Sequence, residues 1–155
     1  MKKEEENKPA NNRRDFIKTS AMAAAAFMIV PRHVLGRGFV APSDRLLIAS
    51  IGVGGKGQSD VAMFDKSGKA NIAYLCDVDT RRAANSVNAF PKAKFYKDWR
   101  EMLDKEHKNF DAVSVSTPDH THAIAALAAM QLGKHVYVQK PMAHDIYEAR
   151  VLTQA

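Results

Sequence analysis

LLIASIGVGGKG, residues 46–57, begins as a short apolar run and ends with four glycines in six positions. Leu46 to Ser50 carries no charge and is too short for a helix, so it reads as a strand buried on both faces. Gly52, Gly54 and Gly57 then fall on the spacing Gly-x-Gly-x-x-Gly, and a helix is expected over 58–64. At a strand-to-helix junction each glycine has a physical task. The first permits the tight turn, the second lets an anionic group approach the backbone, and the third lets the helix lie close to the strand. The helix start presents unpaired N–H groups and a partial positive charge, which suit phosphate.

Downstream, strand and helix signals alternate. Further strands are expected at 71–76, 93–96, 111–117 and 135–138, and helices at 80–89, 99–107, 121–132 and from 145 onward. Gly133 marks the stop of the alanine-rich fourth helix. The fifth strand, His135 to Val138, reads as buried. This alternation predicts a doubly wound α/β domain over 44–155, with parallel strands and helices on both faces. Asp77 lies 20 residues beyond Gly57, at the end of the second strand. A carboxylate there accepts hydrogen bonds from a ribose, which completes a dinucleotide fingerprint. Asp79 is better placed to cap the following helix. The Asp77 charge opposes a 2′-phosphate, so NAD is favoured over NADP; an arginine nearby, Arg81 or Arg82, can pair with that phosphate, but both read first as solvated residues in the opening turns of a helix. Cys76, the lone cysteine, reads as a small buried residue.

Ligands of an open parallel sheet bind beyond the carboxyl ends of its strands. The fourth strand ends in TPDHTH, residues 117–122, which puts Thr117, Pro118, His120 and His122 on that side. His120 and His122 lack a third ligand at a matching spacing, so no metal site is expected. The plainer alternative is that Asp119 or Thr121 caps the helix and the histidines are incidental. The fifth strand ends in Gln139-Lys140-Pro141. A lysine at that point can hydrogen-bond a substrate hydroxyl and stabilise a developing alkoxide.

The first forty residues differ in character. They hold eight Lys/Arg against four Asp/Glu, a net +4 of the chain's +6. The folded part is therefore close to neutral and offers no basic face for nucleic acid. Arg13-Arg14 precedes Phe16-Ile17-Lys18 and an apolar run from Ala21 to Val30, in the order of a twin-arginine export signal. That run has the length of a signal-peptide core and about half the roughly 20 residues of a membrane span. Residues 1–40 are read as a leader and linker, with Val34-Leu35-Gly36 a weak cleavage candidate and no stable membrane insertion. Export by the twin-arginine machinery to the periplasm is expected.

The run from Phe110 to His144, with KDWREML at 97–103, resembles the glucose–fructose oxidoreductase and inositol dehydrogenase (Gfo/Idh/MocA) family over roughly residues 44–155. Its Thr-Pro-x-x-x-His motif falls on Thr117, Pro118 and His122, and its Glu-Lys-Pro motif on Gln139, Lys140 and Pro141. The resemblance implies a Rossmann domain followed by a second α/β domain, and an NAD(P)-dependent oxidoreductase acting on a sugar or polyol. It implies Lys140 as the catalytic lysine, and Gly52, Gly54, Gly57, Asp77, Thr117, Pro118, His122 and Gln139 around the cofactor. Gln139 stands where the family pattern has glutamate, as in a branch of exported members. Family members that hydrolyse glycosides through transient oxidation by bound NAD make a second reading, and a dinucleotide-binding module without chemistry a third. The end of the sequence at Ala155, inside an expected helix, suggests a chain cut short of its second domain and inactive alone. A homo-oligomer is open for the full-length form.

Overall fold

The computed structural model describes residues 44–155, so the expected leader lies outside the described residues. The elements are β1 (Leu46–Ile51), α1 (Lys56–Lys66), β2 (Ala70–Cys76), α2 (Thr80–Ala89), β3 (Lys94–Tyr96), α3 (Trp99–Glu106), β4 (Ala112–Val115), α4 (His122–Gln131), β5 (His135–Val138) and α5 (Ile146–Gln154). The strands form one sheet in the order β3-β2-β1-β4-β5. All four pairings are parallel. The order reverses between β1 and β4, and a ligand crevice belongs at that switch point.

Alternation along the strands places helices on both sheet faces. Ile48, Ile72 and Leu75 point to one side and pack with Val61 of α1 and Ala83 of α2. Ala49, Ile51, Val113 and Val115 point to the other and pack with Met102 and Leu103 of α3 and Ala125 and Ala129 of α4. The two faces of β1 are thus both buried, as its uncharged run requires. Polar residues in this core are paired: Ser114 donates its hydroxyl to Ser50 at 2.8 Å across β4 and β1.

Two expectations need correction. The fourth strand was expected over 111–117 but spans Ala112–Val115. Asp111 N still donates to Leu47 O and Ser116 N to Ile51 O, both at 2.8 Å, but Pro118 turns the chain away beyond them. The fifth strand is not fully buried. His135 and Tyr137 are exposed while Val136 and Val138 are half-buried. Among the described residues β5 pairs only with β4, so it is an edge strand covered by α4 on one face. Helix α4 ends as expected: Gly133 takes φ +72°, and Lys134 N donates to Ala129 O at 3.1 Å. Neither Asp119 nor Thr121 caps its start. Thr121 Oγ1 donates instead to Pro118 O at 2.8 Å, and Asp119 accepts from His120 N.

Candidate dinucleotide-binding site

Because the strands are parallel, the carboxyl ends of β1, β2 and β4 open on one side. A cleft of about 410 Å³ lies there, with Gly52, Gly54, Lys56, Asp77, Arg82 and Thr117 among its walls. Pro118 and Cys76 also face it. Gly57 lies beneath, buried in the first turn of α1.

The glycine spacing is dictated by close approaches. Gly52 has φ +78°, and a Cβ there would meet the Ser116–Thr117 backbone at 2.8 Å. A Cβ on Gly57 would lie 1.7 Å from Gly52 O, so helix and turn can pack only without one. At Gly54 the conflict is with α2: a Cβ would stand 2.9 Å from Arg82 Cβ and 3.2 Å from the Arg82 backbone. The second glycine therefore admits a neighbouring helix as well as any ligand.

Asp77 does more than point outward. Its Oδ2 accepts from Val53 N and Gly54 N, each at 3.0 Å, and its Oδ1 accepts from Asp79 N at 3.0 Å. The carboxylate so ties the glycine turn to the end of β2. A carboxylate offers about four acceptor positions, and three are used by these bonds, leaving one on Oδ1 for a ligand hydroxyl. Asp79 caps α2, accepting from Arg81 N at 3.0 Å. The hydrogen bond from the Arg81 side chain holds the Asp79 carboxyl below its ordinary range. Arg81 is thereby turned to Asp79, and Arg82 alone of the pair faces the cleft, with a guanidinium nitrogen 3.3 Å from where a Gly55 Cβ would be. Burial pushes the Cys76 thiol up to about 12, with the Asp77 and Asp98 charges adding to it, so this thiol stays protonated.

His122 is placed differently from the expectation that it contacts the cofactor. It is 1% exposed. Its Nδ1 lies 2.7 Å from Pro141 O and its Nε2 2.7 Å from Thr117 O. The ring is a strut between the turn after β4 and the turn after β5, where Lys140-Pro141 is a cis peptide. Both nitrogens are engaged, so His122 is not available to pair with His120 on a metal. Lys140 is exposed beyond the end of β5, outside the walls of the cleft. Gln139 Oε1 accepts from Lys140 N at 3.1 Å, and Gln139 Nε2 donates to Asp60 Oδ2 at 3.0 Å.

Sequence reasoning missed Lys56, Trp99 and Asp60. Lys56 lies within the glycine run and lines the cleft, as does Trp99 at the start of α3. The only signal for Lys56 was its place between Gly55 and Gly57. Asp60 carried none, since an acid early in a helix is ordinary.

The residues fit a dinucleotide on two observations. The glycine turn is a cradle that side chains would fill. Thr117 Oγ1, buried beside it, has no hydrogen-bond partner among the described residues, which leaves a place for a ligand atom.

Strand order, glycine turn and terminal acid define a dinucleotide-binding α/β domain of the Rossmann kind. The Gfo/Idh/MocA family model, an oxidoreductase family with an NAD-binding Rossmann fold, matches residues 46–155, and the chain belongs to that family. A glycosyl hydrolase family 109 protein of Shewanella sp. (strain ANA-3) is 32% identical over 161 residues, covering 88% of this chain and 35% of its own length. The UDP-N-acetylglucosamine 3-dehydrogenase GnnA from Acidithiobacillus ferrooxidans is 28% identical with a TM-score of 0.60, covering 71% of this chain and 33% of that one. The WlbA dehydrogenase from Bordetella pertussis, solved with NADH and UDP-GlcNAcA, shares the fold at 23% identity and a TM-score of 0.65, over 72% of this chain and 33% of that one. The chain thus spans about a third of the length of the relatives it matches.

Proposed function

We propose that this chain is the cofactor-holding part of an exported oxidoreductase that uses NAD on a sugar or polyol hydroxyl. The carrying observation is the cleft itself, where the glycine cradle, the Asp77 carboxylate and the unpartnered Thr117 hydroxyl converge. A bound NAD supplies a nicotinamide that takes or returns a hydride. The chain's own residues bind and orient it. The loop N–H groups and the start of α1 face a pyrophosphate, and the free acceptor position of Asp77 faces a ribose hydroxyl. Lys140 is exposed at the turn after β5, one strand further along the sheet, which supports a role toward a substrate hydroxyl rather than toward the adenosine. The similarity to the UDP-N-acetylglucosamine 3-dehydrogenase GnnA supports a polyhydroxylated substrate.

A second reading is favoured by the similarity to glycosyl hydrolase family 109 proteins. In it the same cleft residues would hold NAD, which would supply a reversible oxidation: a hydride taken from the sugar before the glycosidic substituent is eliminated and returned after water adds, for a net hydrolysis. The leader supports export through the twin-arginine route, which carries folded proteins and so suits a cofactor acquired beforehand.

Calorimetric titration of the purified chain with NAD and with NADP tests the cofactor assignment. One site is expected, with NAD tighter by about tenfold or more, or about 1.4 kcal/mol. Absence of binding, or equal affinity for both, overturns it. Assay of a full-length protein on free sugars and on aryl glycosides then separates oxidation from hydrolysis.

A further inference from the structure

Asp60 sits in the second turn of α1, 7% exposed, where a charge is costly unless paired. It caps nothing. Its carboxylate instead gathers side-chain donors from three elements. Oδ1 takes the Lys56 ammonium from the glycine run. Oδ2 takes Ser116 Oγ at 2.9 Å from the end of β4 and Gln139 Nε2 at 3.0 Å from the end of β5. Gln139 passes the tie on, since its other amide atom, Oε1, accepts the backbone N–H of Lys140 at 3.1 Å. One buried carboxylate therefore links the helix of the phosphate-binding turn to the backbone of the lysine turn.

This geometry also fixes what position 139 can be. Nε2 points at a carboxylate oxygen, so the group there must donate. A glutamate would bring a second carboxylate to about the same 3.0 Å separation, and two carboxylates sharing a site cannot both ionise readily. Among the described residues the Gln139 amide nitrogen meets Asp60 of α1 and the Tyr137 hydroxyl of β5, 3.3 Å away, while Ser116, just past β4, and Lys56 of α1 meet the same Asp60 carboxylate. Lys56 is the only cation among them and is already engaged by Asp60.

We propose that Asp60 is a positioning residue: its carboxylate holds Gln139, and through it the backbone of Lys140, against the glycine-turn helix, and its charge is what requires an amide at position 139. The importance of that position rests on the reading of Lys140 as the substrate-side lysine; the tie itself does not. Burial raises the Asp60 carboxyl, but hydrogen bonds from Lys56, Ser116 and Gln139 outweigh it and leave the group below its ordinary range, consistent with a carboxylate kept ionised at the hub.

The test is a reciprocal exchange in the chain as it stands. Gln139→Glu, Asp60→Asn and the double variant are compared with the parent by urea denaturation at pH 7 and pH 4. The introduced carboxyl at position 139 is titrated by carbon NMR, and amide exchange at Lys140 is followed. In the single Gln139→Glu variant that carboxyl is expected to titrate at least one unit above an ordinary glutamate, a tenfold gain in proton affinity. Its folded pKa being raised, the loss of stability is present at pH 7 and fades as pH falls toward the unfolded value near 4. Lys140 amide exchange should quicken about tenfold in Gln139→Glu, whose side chain is pushed off Asp60, and return to the parent rate in the double variant. The double exchange should restore the pH 7 midpoint and return the carboxyl to the ordinary range. An unshifted carboxyl with an unchanged midpoint in Gln139→Glu overturns the proposal. So does a double variant no more stable than the two single losses combined. None of these readouts involves NAD or turnover, so a failed cofactor titration leaves this test standing, and the reverse.

Discussion

Replacing His122 by phenylalanine separates a strut from a cofactor contact. The ring is 1% exposed, and each nitrogen lies 2.7 Å from a carbonyl oxygen, of Thr117 on one side and Pro141 on the other. Phenylalanine roughly preserves the volume, so the cavity cost is small and the lost hydrogen bonds dominate. A buried polar group left without its partner costs about 1–3 kcal/mol. Both carbonyls belong to turns that water can reach after a small shift, which argues for the lower half of that range. An imidazole with a single N–H donates to one of these carbonyls, so one such loss, about 1–2 kcal/mol, is expected. In a domain of this size each kcal/mol moves the midpoint of thermal unfolding by about 4 °C, so a fall of about 4–8 °C is expected by circular dichroism. NAD affinity, measured in parallel at a temperature where the variant is folded, should weaken by less than about tenfold, since only the Thr117 wall of the cleft is disturbed. A midpoint within 2 °C of the parent, with NAD binding lost, would refute the strut and return His122 to the cofactor.

Gly57→Ala should fail on both counts, because its Cβ would stand 1.7 Å from Gly52 O. Displacing the turn is expected to cost about 3 kcal/mol, at the upper end for overpacking, and to abolish NAD binding by calorimetry. In a full-length protein, Lys140→Ala should leave NAD affinity within a few-fold and lower turnover by about 10²-fold or more; full turnover would make Lys140 a bystander. Hydrogen bonds from Lys94, Tyr96, Asn109 and Tyr74 hold the Glu106 carboxyl down at about 2, against an ordinary 4.5. With a depressed folded value, its contribution is present above pH 4.5 and lost as pH falls toward 2. Glu106→Gln should therefore unfold earlier than the parent in urea at pH 7 and match it near pH 2; a difference that persists at pH 2 would count against the network. For the leader, exchanging Arg13 and Arg14 for lysine should keep a fused reporter in the cytoplasm, and undiminished export of that double variant removes the twin-arginine route.

The uncharged run of β1 and the three glycines after it were enough to announce a strand, a turn and a helix, because burial on both faces and close backbone approach are demands on individual residue types. The alternation of elements then implied parallel pairing, and Asp77 at a strand end followed from its distance along the chain. These are local constraints, legible residue by residue. What the sequence could not show is which side chains from distant segments meet. His122 follows the fourth strand in a motif and looks like a ligand contact, yet 19 residues separate it from the Pro141 carbonyl it supports. Asp60 looks like any acid in a helix until Gln139, 79 residues on, is laid against it. Gly54 proved to be required by Arg82 of the next helix. β5 has an apolar character that suggests burial, and only its place in the sheet order makes it an edge. Each of these outcomes depends on the packing of one element against another, and the chain encodes that packing only through the fold as a whole.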